Sequence, residues 1–124
     1  MSGSVAFLFD LDGTLVDSVY NHVRAWHVAL QEQGLDLSVW RIHRKIGMSG
    51  GLFTAQLQRE LGRSIDEDSL ARLRDRHAEL FRDLSKDVPP LPGAVELLKE
   101  LTNQGLPWAI ATSGRMRTAE MNLR

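Results

Sequence analysis

Val5-Ala6-Phe7-Leu8-Phe9-Asp10-Leu11-Asp12-Gly13-Thr14 is the stretch on which the fold turns. An unbroken apolar run stops abruptly at two carboxylates and a glycine. A segment that is apolar at every position fits a strand buried on both faces, as strands of a parallel sheet are. Gly13 permits the sharp turn that follows. A similar arrangement returns late in the chain, where Trp108-Ala109-Ile110-Ala111 runs into Thr112-Ser113-Gly114. Two short apolar strands joined through a helix suggest parallel strands of a doubly wound sheet. Open α/β sheets build their sites at the carboxyl ends of their strands. If these strands are neighbours, Asp10, Asp12 and Thr112 converge on one spot.

Between the strands the period changes. Val19, Val23, Trp26 and Leu30 recur at helical spacing, with Asp17 or Ser18 placed to cap the start and Gly34 to end it. Ser38 is placed to cap a short second helix running through Ile46. Leu52 to Leu61, ended by Gly62, predicts a third helix. A fourth begins at Asp66 or Asp68 and carries Leu70, Leu73, His77, Leu80 and Leu84 on one stripe. Residues 17–85 are therefore expected to be a helical block without strands. Pro89, Pro90 and Pro92 then make a stiff, extended linker. An amphipathic helix through Ala94, Leu97, Leu98 and Leu101 is closed by Gly105. Arg115 to Arg124 begins another helix.

The 124 residues suit one compact domain, or one domain carrying an insertion. A net charge of -1 gives no electrostatic case for nucleic acid or an anionic membrane. No apolar run approaches the roughly 20 residues that span a bilayer. The run Val5 to Phe9 is too short, and lacks the basic flank, for a signal-peptide core. The absence of cysteine removes disulfides, thiolate metal sites and cysteine nucleophiles together. A cytoplasmic location is the default expectation.

Two carboxylates at positions 10 and 12 lie close in space, and like charges so near need a cation or a shared proton. Mg²⁺ takes carboxylate and carbonyl oxygens, then completes its shell with water and substrate phosphate. Such an ion also lowers the repulsion between an attacking carboxylate and an anionic phosphate. A carboxylate can attack phosphorus to give an aspartyl-phosphate. Backbone N–H groups around Gly13 and Thr14, with the hydroxyls of Thr112 and Ser113, are candidates to hold phosphoryl oxygens.

Asp10-Leu11-Asp12-Gly13-Thr14-Leu15-Val16-Asp17-Ser18 after an apolar strand resembles the first motif of the haloacid dehalogenase superfamily, and Ala109 to Gly114 resembles its second. The helical block is similar in position and length to that family's cap domain. The resemblance implies a partial Rossmann-like α/β core of residues 1–16 and 86–124, with a helical cap of 17–85 moving on hinges near 14–18 and 85–91. Asp10 would be the nucleophile and a metal ligand. Asp12 would serve as general acid and then general base, its backbone carbonyl binding Mg²⁺. Thr112 would hydrogen-bond the phosphoryl group. An aspartate at position 12 points to phosphate-ester chemistry on a small phosphorylated metabolite, a sugar phosphate or phosphoglycolate, and away from dehalogenation.

His22-Val23-Arg24-Ala25-Trp26 resembles the matching stretch of β-phosphoglucomutase and nearby sugar-phosphate phosphatases, which implies a substrate role for His22. Where that mutase carries a phosphate-clamping arginine, this sequence has Gly50, which favours a hydrolase. The family's later motifs, a lysine and an acidic pair, normally lie well beyond Thr112. Their absence by Arg124 leads us to expect a truncated chain, nearly inactive alone and able to self-associate through an exposed sheet edge. Other residues read as structure. His27, His43 and His77 have no partner at metal-ligand spacing. Trp26 and Trp40 fit helical packing. Arg72, Arg74 and Arg76, interleaved with Asp75 and Glu79, fit a solvated face, as do Arg41, Arg44 and Lys45.

Overall fold

β1 (Phe7–Phe9) and β2 (Trp108–Ile110) pair in parallel, with Phe7 opposite Trp108 and Phe9 opposite Ile110. The structure is a computed structural model, and it describes residues 4–112. Between the strands come α1 (Val19–Glu32), α2 (Val39–His43), α3 (Gly50–Leu61), α4 (Glu67–Leu84) and α5 (Ala94–Asn103). The fold is α/β and helix-rich, with residues 17–85 free of strands as the periodicity predicts. The helix expected over 115–124 lies outside the described residues.

Both strands are shorter than the apolar runs that contain them, and β1 is not buried on both faces. Phe9 packs against Leu11, Leu15, Val16 and Ala94. Leu8 faces the opposite way and is 74% exposed. Alternation along a strand sends neighbours to opposite faces. Among the described residues no element covers the face that Leu8 occupies.

The ends of α3 and α4 follow the sequence signals, whereas α2 stops at His43, short of the expected Ile46, and Ser38 makes no capping bond with its side chain. α3 stops at Gly62, whose φ of 68° lets the Gly62 and Arg63 amides reach back to Arg59 and Gln58. α4 is capped by Asp66, whose carboxylate accepts the Ser69 amide at 3.0 Å. α1 departs as well. Ser18 occupies the cap position but makes no capping bond with its side chain. Its hydroxyl donates to Asp12 instead.

Two separate clusters hold the molecule together. The larger sits inside the helical block, where α1 packs along α4 and Val23, Leu30, Ile42, Leu57 and Leu73 are fully buried. Burying one such side chain stabilises by about 1.5–3 kcal/mol. Trp26 belongs to this cluster and stacks on Phe53 at 4.3 Å. Trp40 does not: it is 55% exposed, with the guanidinium groups of Arg41 and Arg44 at 5.1 and 5.7 Å from its ring centre. α2 is a five-residue helix, so it has too little face to bury both Ile42 and Trp40. Lys45 likewise departs from the solvated reading. It is buried, donating to the Arg41 carbonyl and the Glu60 carboxylate. Arg76 keeps to the exposed side of α4 but ties it to α1 through Glu32, at 2.9 and 3.1 Å.

The smaller cluster lies under β1 and β2. The chain passes between the two clusters twice, and the passages are stitched together. The Asp17 amide donates to the Pro89 carbonyl at 3.0 Å, and the Leu91 amide to the Leu15 carbonyl at 2.9 Å. Proline lacks an amide hydrogen, so in this ladder Pro89 can only accept.

The turn after β1 is closed by Gly13, Thr14, Leu15 and Val16, whose amides all bond within residues 11–16. Gly13 has φ 76°, and a Cβ there would lie 2.5 Å from Val19 Cγ2. Gly62 has a similar φ of 68° but open space around it. Gly62→Ala should therefore cost about 1–2 kcal/mol from backbone conformation alone. Gly13→Ala should cost roughly 3 kcal/mol or more, because strain and overlap add. Thermal denaturation of the two variants checks this ordering, and equal losses would contradict it.

Candidate active site

Asp10 follows Phe9 directly, and Thr112 stands two residues beyond Ile110. Because Phe9 pairs with Ile110 in parallel, both residues emerge at the same end of the sheet. The Ala111 amide continues the ladder to the Phe9 carbonyl at 2.8 Å, which carries the alignment up to Thr112. Asp10 is exposed and Thr112 half-buried. Ser113 lies outside the described residues.

A cavity of about 160 Å³ opens at this end. Asp10 and Asp12 line it from the strand side, and Val19, His43, Ile46 and Gly47 from the helical side. His43, which reads as structural in the sequence, is thus a wall of the cavity beside the carboxylates. Its ring lies 5.2 Å from that of Tyr20.

Asp12 is held from the helical side. Its Oδ1 accepts the Ser18 hydroxyl and lies 3.1 Å from His22 Nε2. Burial pushes its carboxyl up, but the hydrogen bond and charge of His22, the Ser18 hydroxyl and the charge of His77 together outweigh it. The net effect holds Asp12 below its ordinary value. His22 therefore reaches the site through Asp12 and is not among the residues that line the cavity. His77, also expected to be structural, meets His22, with Nε2 at 3.1 Å from His22 Nδ1. Ser18 and His22 stand one helical turn apart, but no spacing rule links that pair to Asp12 or His77. Only the packing of α1 against α4 brings the two histidines together, so the sequence offers no signal for this network.

The Gly13 and Thr14 amides, candidates for holding phosphoryl oxygens, bond within the turn. In this conformation the Gly13 amide donates to Val16 at 2.9 Å and the Thr14 amide to Leu11 at 3.2 Å. These bonds close the turn that follows Asp10 and Asp12.

Among the described residues no three His, Cys, Asp or Glu side chains cluster to hold a metal ion. One exposed carboxylate at Asp10 and the backbone carbonyl of Asp12 nevertheless suit Mg²⁺. That ion binds through one or two carboxylates and keeps water and phosphate in its remaining positions.

Residues 7–124 match the family model described as haloacid dehalogenase-like hydrolase. The chain belongs to the haloacid dehalogenase-like hydrolase family. Among solved structures it is similar to a hydrolase from Pseudomonas syringae, with 52% identity and a TM-score of 0.93, covering 97% of this chain and 55% of that one. Among curated relatives it is 37% identical to hexitol phosphatase A of Escherichia coli (strain K12), over 91% of this chain and 50% of the relative. It is 32% identical to N-acetylmuramic acid 6-phosphate phosphatase of Pseudomonas aeruginosa, over 93% of this chain and 50% of the relative. The chain thus spans about half the length of the curated relatives it matches. The haloacid dehalogenase-like fold accounts for the strand ends that carry Asp10, Asp12 and Thr112. Among the described residues no helix is long and apolar enough to cross a membrane.

The depressed Asp12 carboxyl makes the site sensitive to acid. A carboxyl held below its unfolded value stabilises the fold at higher pH, and that contribution is lost as pH falls through the folded value. His22→Phe removes one donor, so Asp12 should titrate at higher pH and contribute less acid-sensitive stability. Carboxyl ¹³C titration of Asp12 in the two proteins checks the direction. An unchanged or lower midpoint in the variant would contradict the cause assigned here.

Proposed function

We propose that this chain carries the nucleophile and the acid–base residue of a Mg²⁺-dependent phosphatase acting on a small phosphomonoester. The observation that carries the reading is the cavity lined by Asp10 and Asp12 at the sheet end where Thr112 also emerges. Relatives named for hexitol and amino-sugar-acid phosphates support a sugar-phosphate class of substrate, with phosphoglycolate as the smaller alternative. Such substrates are internal metabolites, so we assign the enzyme to the cytoplasm.

In this reading Asp10 attacks phosphorus, the P–O ester bond breaks, and the leaving oxygen takes a proton from Asp12. Asp12 then takes a proton from water as that water attacks the aspartyl-phosphate, releasing phosphate and restoring Asp10. Thr112 donates its hydroxyl to the phosphoryl group. The Asp10 carboxylate and the Asp12 carbonyl would hold Mg²⁺, which would supply positive charge against the repulsion between carboxylate and phosphate. Asp12 is tied to Ser18 and His22 as a carboxylate. To deliver a proton it must be released from those donors, so we assign residues 17–85 as a cap whose movement frees it. The core would be residues 1–16 and 86–124, and the stitched passages near 15–17 and 89–91 would be the pivot.

A mutase reading is less favoured because Gly50, at the start of α3, offers no cation for a second phosphate. A second reading rests on the exposed apolar residues Val5, Leu8 and Trp108. It makes the chain a non-catalytic unit that pairs with a second copy along the sheet. A monomer in sizing experiments would sink that reading.

The decisive test uses a polypeptide carrying residues 1–124 together with the later motifs that the family pattern implies. It should hydrolyse p-nitrophenyl phosphate only with Mg²⁺, and Asp10→Asn should abolish turnover. Retained activity in that variant would refute the nucleophile assignment. Free phosphate from a monophosphate would support hydrolysis, whereas isomerisation requiring a bisphosphate primer would support the mutase.

A further inference from the structure

The helical wall of the cavity has one polar fastening. Lys45 stands between His43 and the pair Ile46 and Gly47, and all three of those neighbours border the cavity. Its side chain is 3% exposed, an uncommon place for an ammonium group. Nζ donates to the Arg41 carbonyl at 3.0 Å and to a carboxylate oxygen of Glu60, near the end of α3. The Lys45 amide goes to Ile42 at 2.9 Å, so the ammonium takes the Arg41 carbonyl that a continued α-helix would have given to that amide. The Glu60 bond ties the segment to α3. Among the described residues no other side-chain hydrogen bond or ion pair joins residues 43–47 to α1, α3 or α4.

We propose that Lys45 is a positioning residue for the substrate cavity: through Glu60 it fixes where Ile46 and Gly47 stand opposite Asp10 and Asp12. The effect on substrate rests on the function proposed above, whereas the attachment of the wall does not. The donor direction is unambiguous, because an ammonium only donates and a carbonyl or carboxylate oxygen accepts. The other anchors are weaker. α2 has five residues, too few to hold its own shape in water. Ile42 and Ile46 pack on the larger cluster, but apolar contact is non-directional and lets a short segment slide. An ammonium that must reach the Arg41 carbonyl and Glu60 together restricts the segment far more narrowly. A buried ion pair adds little net stability over apolar residues of the same volume, so this pair is better explained by the conformation it specifies.

Replacing both partners by apolar residues separates position from stability. In the 124-residue chain, Lys45→Met combined with Glu60→Leu should keep the thermal midpoint at or above that of wild type. Hydrogen exchange of the Ile46 and Met48 amides, which bond to His43 and Lys45 at 3.1 Å, should nevertheless accelerate about tenfold, with amides inside α1 and α4 unchanged. Unchanged exchange at both amides would overturn the proposal, and so would a uniform acceleration, which reports only lost stability. In the catalytically active polypeptide the double variant should raise KM for p-nitrophenyl phosphate about tenfold and leave kcat within about twofold, because the Ser18 and His22 bonds to Asp12 are untouched. A wild-type KM would overturn the link to substrate. Should the double variant lose its thermal transition, Glu60→Ala and Glu60→Gln make the comparison instead. The first removes the acceptor on α3 and the second keeps a carbonyl oxygen there, so only Glu60→Ala should show faster exchange and a higher KM. Equal behaviour of the two would overturn the proposal. Faster exchange in a protein whose Asp10→Asn variant stays active would uphold the attachment of the wall and place the error in the proposed function.

Discussion

Phe7, Leu8 and Phe9 bond in parallel to Trp108, Ala109 and Ile110, at the opposite end of the described chain. Everything at the site depends on that register. A parallel pair sends both carboxyl ends the same way, so the residues that follow the two strands share one end of the sheet. A slip of one residue would turn Phe9 away from Leu11, Leu15 and Val16 and move Asp10 out of line with Thr112. The packing beneath the sheet therefore fixes the register, and the register fixes the site.

The site has two sides of different character. The strand side supplies Asp10 and the turn closed by Gly13, a rigid platform whose amides are committed to one another. The helical side supplies Ser18 and His22 to Asp12, and His43, Ile46 and Gly47 to the cavity wall. Asp12 belongs to the first side by sequence and to the second by its hydrogen bonds. A carboxylate so placed would, under the proposed cap movement, couple the position of the helical block to its own protonation, because its donors Ser18 and His22 stand at the cap of α1 and within it. The short ladder joining Asp17 to Pro89 and Leu15 to Leu91 brings the two chain passages together at one point, which limits how the sides can move.

Much of this was legible along the chain. Helical spacing gave α1, α3, α4 and α5, and Gly62 and Asp66 marked their ends as the capping chemistry requires. The apolar runs gave both strands, though too long and too buried: periodicity reports the pattern of side chains, while burial depends on what lies opposite. Leu8 illustrates the difference, being as apolar as its neighbours yet exposed. Lys45 and Trp40 were misplaced for the converse reason. A lysine reads as solvated and a tryptophan as packed until Glu60 or the shortness of α2 is known.

By itself the sequence determined most local conformations and named the candidate reactive groups, since a turn, a cap or a carboxylate is specified by residues a few positions apart. Only the tertiary structure decided that Ser18 faces Asp12, that His77 meets His22, and that His43 borders the cavity. Those partners are brought together by the packing of helices against one another and against the strand ends. Such packing depends on shapes summed over many residues, and no spacing within the chain encodes it.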